Sequence, residues 1–173
     1  MNKTLLSSYI KDVANFPKPG IIFKDISPLL ASQVARKSMT QKLIENFKNK
    51  DIDVVVGIES RGFLFGMLMA DALNARFVMM RKPGKLPGEI MSKEYDLEYG
   101  KDALEVQKGC IQQSNKVLIH DDVLATGGTA AAASSLIKQT GAQVTGYSFI
   151  IELDFLNGRK LLHNSIVSSV LNY

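Results

Sequence analysis

The run Lys116-Val117-Leu118-Ile119-His120-Asp121-Asp122-Val123-Leu124-Ala125-Thr126-Gly127-Gly128-Thr129 constrains this chain more than any other stretch. Val117, Leu118 and Ile119 make a short apolar strand suited to burial in a parallel sheet. Asp121 and Asp122 follow where that strand ends, at the carboxyl edge where open α/β sheets take ligands. Gly127 and Gly128 permit backbone angles that other residues resist, so successive N–H groups can turn toward one anion. Thr126 and Thr129 add hydroxyl donors, and the alanine-rich helix that follows adds the positive end of its dipole. Together these parts describe a cradle for a phosphate monoester, with two acids placed to accept hydrogen bonds from a neighbouring sugar diol. A lone Gly-Gly-Thr would read as a helix cap. The combination is more specific, and it is neither a Walker A loop nor a Gly-x-Gly-x-x-Gly dinucleotide fingerprint.

The rest of the chain fits this start. Its 173 residues, 46% hydrophobic and 22% charged, suit one globular domain with a full core, 1–173. No linker, repeat or low-complexity tract interrupts it. No apolar run approaches the roughly 18–20 residues of a membrane span, and the N-terminus lacks a signal-peptide core. The single Cys110 cannot form an internal disulfide, which fits a reducing, cytoplasmic setting. With only His120 and His163 as histidines no nucleophilic triad is visible, and Cys110 reads as structural. The net charge of +4 and pI near 9.1 suit a small polyanionic substrate. No concentrated Lys/Arg tract points to nucleic acid, so neither nucleic acid nor membrane is expected as a partner.

Leu5, Leu6, Tyr9, Ile10 and Val13 recur at helical spacing and predict an amphipathic helix over 3–15. Ile21, Ile22 and Phe23 read as a short extended piece, for which core packing is the plain explanation. A helix is expected over 33–47, a buried strand over 53–58, an apolar helix over 63–73 and a strand over 76–81. Residues 82–101 are polar and rich in Gly, Lys and Glu, too long for a simple connector, and such loops are usually functional. Strands over 104–107, 117–119 and 144–153 and a helix over 130–140 complete an α/β pattern with a largely parallel sheet.

Two further segments carry chemistry. Ile58-Glu59-Ser60-Arg61-Gly62 again delivers a charged, glycine-containing loop from a buried strand to a helix, making Arg61 a natural second anion site. The plainer alternative pairs Arg61 with Glu59 or Asp71. Arg81, Lys82 and Lys85 open the long polar loop with three cations, which read as a solvated basic loop or as a lid that neutralises a departing anion. His120, next to Asp121, faces the other way by strand alternation and reads as a structural or sheet-edge residue.

The strand, acid pair and Ala-Thr-Gly-Gly-Thr run resembles the substrate-binding motif of the type I phosphoribosyltransferases. The adenine-specific branch of that family is matched more closely, by Phe16-Pro17, by Pro19-Gly20-Ile21-Ile22-Phe23-Lys24-Asp25-Ile26 and by Ser60-Arg61-Gly62-Phe63-Leu64-Phe65-Gly66. Gly84-Lys85-Leu86-Pro87-Gly88 and Leu97-Glu98-Tyr99-Gly100-Lys101, followed by Leu104-Glu105-Val106-Gln107-Lys108, match it as well. The matches keep order and spacing over 16–155.

The resemblance implies an α/β type I phosphoribosyltransferase fold, with a central, mostly parallel sheet flanked by helices. It also implies a small N-terminal base hood at about 15–30 and a long mobile lid at about 82–101. The implied activity is transfer of 5-phosphoribosyl from phosphoribosyl pyrophosphate (PRPP) to N9 of adenine, giving AMP and pyrophosphate in purine salvage. Ala125, Thr126, Gly127, Gly128 and Thr129 would hold the phosphate, and Asp121 and Asp122 the ribose hydroxyls. Ser60, Arg61, Arg81, Lys82 and Lys85 would hold pyrophosphate, while Ile22, Phe23 and Lys24 would hold adenine, and Glu105 would act as acid or base near the purine. Mg²⁺ is implied, held mainly by PRPP and water with no direct protein ligand named. A homodimer is implied, as is a non-proline cis peptide at Glu59–Ser60. Lys24 stands where many members carry Arg and cannot make that planar bidentate contact. A 6-oxopurine phosphoribosyltransferase and a non-catalytic PRPP sensor are the alternative readings.

Overall fold

The computed structural model describes residues 1–96, 101–162 and 165–173. The Leu97-Glu98-Tyr99-Gly100 part of the motif above and His163 lie outside the described residues. The chain packs as two compact units, Met1–Lys42 and Leu43–Tyr173.

In the first unit the expected helix over 3–15 is cut short. Helix α1 is Lys3–Ser7, and Lys11–Ala14 instead form strand β1. The side chain of Asn2 caps α1 by accepting from the Leu5 N–H at 2.9 Å. Ser7 and Ser8 hydroxyls bond back to the carbonyls of Thr4 and Leu5, a competition with backbone hydrogen bonding that favours helix ends. Strand β1 then pairs antiparallel with β2, Ile22–Asp25, placing Val13 opposite Phe23 and Asp12 opposite Lys24. Only Leu6 of α1 is buried, so the apparent apolar stripe never formed one face. The expected extended piece at Ile21-Ile22-Phe23 is thus one arm of a hairpin. Helices α2, Ser27–Ala31, and α3, Gln33–Ile44, follow.

The second unit is built on a parallel five-stranded sheet. Its strands are β3, Val54–Ile58; β4, Arg76–Met80; β7, Lys116–Leu124; β8, Gln143–Glu152; and β9, Ile166–Asn172. They lie in the order β4-β3-β7-β8-β9. Helices α4, Gly62–Ala72, and α5, Gly128–Gln139, are the crossovers after β3 and β7. Every residue of β3 is buried, as its unbroken apolar run predicts for a central parallel strand. Val54, Val56, Ile58, Val117, Ile119 and Phe149 join Ala133, Leu136 and Ile137 of α5 in the main core.

The polar stretch 82–101 holds more regular structure than its composition predicts. Ile90–Asp96 form β5, paired antiparallel with β6, Lys101–Gln107, in a two-stranded sheet of its own. Met91 and Tyr95, an even number of residues apart and so on one face of the strand, both pack against the core. A single bridge, Arg81 with Glu105, joins the start of this segment to β6.

Candidate active site

Strands β3 and β7 are neighbours in the sheet, so their carboxyl ends deliver two loops side by side. Strand β7 runs on to Leu124, past the expected end, and carries Asp121 and Asp122 within it. The Asp122 N–H donates to Asp121 Oδ1 at 2.9 Å. Arg61, at the start of α4, places Nε 2.8 Å from Asp122 Oδ2, an ion pair with a buried acid. Arg61 therefore meets the acid pair of β7, through Asp122. The helix comes this close because residue 62 has no side chain: a Cβ there would lie 2.9 Å from the His120 carbonyl and 3.1 Å from Asp121 Oδ1.

These carboxylates titrate as a pair. Burial, then the charge of Asp122, holds the Asp121 carboxyl well above its ordinary value. Burial raises Asp122 as well, with Arg61 pulling it back. His120 is fully buried, and its Nδ1 lies 2.8 Å from the Ser148 carbonyl. That carbonyl can only accept, so Nδ1 carries the hydrogen. Burial presses the ring's pKa down to about 4 against the pull of Ser148, leaving it neutral at physiological pH. It belongs to a central strand, inside the sheet rather than at its edge.

Beyond β7 the loop residues Ala125, Thr126, Gly127 and Thr129, with Asp121, line a cavity of about 60 Å³. Gly127 has φ 86°, left-handed backbone that glycine adopts at little cost, and directly precedes α5, of which Gly128 is the first residue. Such a helix start leaves N–H groups free of intrahelical partners and aligned with a positive dipole end. The larger hollows, about 480 Å³ beside α5 and about 780 Å³ at the opposite edge of the sheet, gather no comparable set of groups.

The expected pyrophosphate cations are held by acids. Glu59, which forms a cis peptide with Ser60, receives the Lys82 N–H at 2.9 Å and pairs with Arg81 at 3.2 Å and with Lys85. Burial pushes its carboxyl up, but Lys85, the Lys82 N–H and Arg81 outweigh it and bring the pKa to about 2. Lys82 Nζ meets Asp102 and donates to Tyr95 at 2.6 Å. Thr129 Oγ1 reaches the same Tyr95 hydroxyl at 3.4 Å, so this network touches the start of α5 beside the 125–127 loop. Glu105 is buried and accepts the Gly84 N–H at 3.0 Å, which bends the cation-bearing turn toward β6.

Residues 25–153 match the family model described as "Phosphoribosyl transferase domain". The chain belongs to the phosphoribosyltransferase family. It is 50% identical over 168 residues to an adenine phosphoribosyltransferase of Koribacter versatilis, covering 97% of this chain and 92% of that one. It superposes on a crystal structure of adenine phosphoribosyltransferase from Rhodothermus marinus with a TM-score of 0.95 at 45% identity, covering 99% and 98% of the two chains. The Saccharomyces cerevisiae enzyme, crystallised with an imino-altritol bisphosphate and adenine, gives 0.91 at 42% identity with 97% of each chain covered.

Within this phosphoribosyltransferase, the contacts above make two linked sets in the larger unit, Asp121, Asp122 and Arg61 in one and Thr129, Arg81, Lys82, Lys85 and Glu105 in the other, and Asp121 and Thr129 line one cavity. Ile22, Phe23 and Lys24 belong to the hairpin of the smaller unit. There Ile22 is exposed, Phe23 stacks edge-on with Phe16 at 5.1 Å, and Lys24 Nζ grips Asp12 at 2.8 Å. Sequence reasoning missed Glu59 as the acid that gathers the loop cations, and it missed Tyr95 and Asp102. Tyr95 alone had a signal, the alternation Tyr95-Asp96-Leu97-Glu98-Tyr99 in a segment that otherwise reads as polar loop.

Proposed function

We propose that this protein is an adenine phosphoribosyltransferase, forming AMP and pyrophosphate from adenine and PRPP. The observation that carries the reading is the adjacent acid pair of half-buried Asp121 and buried Asp122, tied to Arg61 beside a glycine-bearing loop at a helix start. The loop donors of residues 125–129 take the 5′-phosphate. Asp121 and Asp122 accept from the ribose hydroxyls and stabilise positive charge as the bond from C1′ to pyrophosphate oxygen breaks and the N9–C1′ bond forms. Arg61, Arg81, Lys82 and Lys85, with Ser60, stabilise the leaving pyrophosphate once it replaces Glu59 at Arg81 and Lys85 and Asp102 at Lys82. Glu105 handles the purine proton. The β5–β6 hairpin serves as the lid that keeps water from the cationic sugar.

The exposed apolar groups of the hairpin, Phe16, Ile21 and Ile22, support a stacking surface for the purine. The 6-amino base is favoured over 6-oxopurines by relatedness to adenine enzymes across nearly the whole chain. Mg²⁺ suits this site: an ion sharing PRPP oxygens and water needs no protein cage, and the adjacent carboxyl groups of Asp121 and Asp122 stand beside the loop proposed to hold the phosphate. When bound it supplies charge neutralisation of the leaving group. A cytoplasmic setting fits the lone cysteine, and among the described residues no helix is long and apolar enough to cross a membrane.

Asp122→Asn tests the ribose role. Turnover of adenine and PRPP should fall at least about tenfold with the fold retained. An unchanged rate in a folded variant removes Asp122 from the mechanism. PRPP binding by the wild type with no product from any base supports the sensor alternative instead.

A further inference from the structure

The phosphate loop does not hold its shape alone. After β8 the chain makes two short 3₁₀ turns, Asp154–Leu156 and Gly158–Leu161. Gly158 is buried and lies with its backbone directly against the loop. A Cβ on Gly158 would strike the Ala125 carbonyl oxygen and come within 2.9 Å of the Gly127 nitrogen and the Thr126 carbonyl carbon. A Cβ on Gly127 would strike the Gly158 carbonyl oxygen in return, with Gly158 C at 3.0 Å. These obstacles are all backbone, which cannot rotate away. Gly127 needs glycine for its left-handed angle as well. At Gly158 the backbone is not left-handed, so the requirement there is one of space.

The segment carrying Gly158 is fixed to the sheet. Asn157, with φ 53°, turns the chain into it. Arg159 Nε donates to Glu152 Oε1 at 2.9 Å and its Nη1 to the Val167 carbonyl at 2.7 Å, joining the turn to β8 and β9. Glu152 is buried at the end of β8, and Ser169 also donates to it. Burial pushes the Glu152 carboxyl up, but Arg159 and Ser169 hold it below its ordinary value, so the pair stays ionised at neutral pH. Two strands beyond the acid pair therefore support a rigid wall behind residues 125–127.

We infer that Gly158, locked by the Arg159–Glu152 ion pair, is a positioning residue that sets the backbone of the phosphate loop for the 5′-phosphate. This rests on the function proposed above. Pre-set donors stabilise a phosphate more than donors that must first be ordered. A methyl group at 158 pushes the loop off its position, and misplacement of about 1 Å in such a site can cost up to about a hundredfold.

The test compares Gly158→Ala and Arg159→Gln with the wild type in steady-state kinetics, in calorimetric binding of ribose 5-phosphate and in thermal unfolding. Gly158→Ala should raise KM for PRPP and weaken ribose 5-phosphate at least about tenfold, while KM for adenine stays within about twofold. Arg159→Gln adds no atom at the contact and should move the same two quantities in the same direction, less strongly. Should Gly158→Ala not fold, Arg159→Gln decides alone. A folded variant with wild-type PRPP and ribose 5-phosphate constants overturns the inference, as does an equal loss for PRPP and adenine. If the wild type binds ribose 5-phosphate but makes no AMP, the proposed activity fails, and the binding comparison still judges Gly158.

Discussion

The acid pair stores a conflict at the scale of single residues. Asp121 and Asp122 are neighbours on one strand, partly or fully withdrawn from water, with Arg61 as the ion-pair partner of Asp122. The folded protein therefore prefers a proton on Asp121 more than the unfolded chain does. An unfolded aspartate titrates near 3.8. Above that pH the folded state still holds a proton that the unfolded state has lost, so stability falls as pH rises through the folded value. Asp121→Asn removes this cost while keeping an oxygen to accept the Asp122 N–H. The variant should melt higher than wild type at pH 7, and the gap should close toward pH 4, while turnover is lost. A lower melting point at pH 7 would show that the ionised pair stabilises the fold. His120 acts oppositely: it contributes stability above pH 6.5 that is lost as pH falls toward its folded value of about 4.

At the scale of elements, close approach depends on residues without side chains. Gly57 of β3 and Gly66 of α4 both face the Phe77 ring, and a Cβ on Gly57 would lie 2.7 Å from it and 3.0 Å from the Gly62 carbonyl. Helix α4 thus lies low on the sheet, which brings Arg61 to Asp122. Gly57→Val should destabilise the protein by about 1–3 kcal/mol through overpacking, read as a lower midpoint in denaturant, and a wild-type midpoint would refute the packing argument. Packing of this kind also decides which elements stand out in the sequence. The buried strands and their crossover helices announce themselves, because burial on both faces demands unbroken apolar runs such as Val54-Val55-Val56. Strand β9 and the helix ends did not, since Ile166-Val167-Ser168-Ser169 mixes periods. The false helix over 3–15 arose because Tyr9, Ile10 and Val13 fit a helical period, yet cross-strand pairing with Phe23 and Lys24 is non-local. For the site, Asp121, Asp122 and residues 125–129 were readable as a contiguous motif. Glu59's hold on Arg81 and Lys85, and the Gly158 wall, depend on contacts across 22 or more residues and so left no local mark.

For the whole molecule, α4 is apolar on nearly every side, and Leu64, Met67 and Leu68, with Met79 of edge strand β4, remain exposed. A helix apolar all round is normally covered, and a contiguous patch of this kind marks an interaction surface. We propose that a second copy of the chain covers it. Sedimentation should give twice the 19.0 kDa chain mass, and Met67→Asp with Leu64→Asp should give one chain mass. A wild type that sediments as a single chain contradicts the dimer. Base specificity is judged by one competition experiment: PRPP and Mg²⁺ with adenine, hypoxanthine, guanine and xanthine together in equal amounts, products separated by chromatography. An adenine phosphoribosyltransferase yields AMP alone. IMP, GMP or XMP in comparable yield would leave the phosphate and ribose sites standing and contradict the assignment of adenine as the substrate.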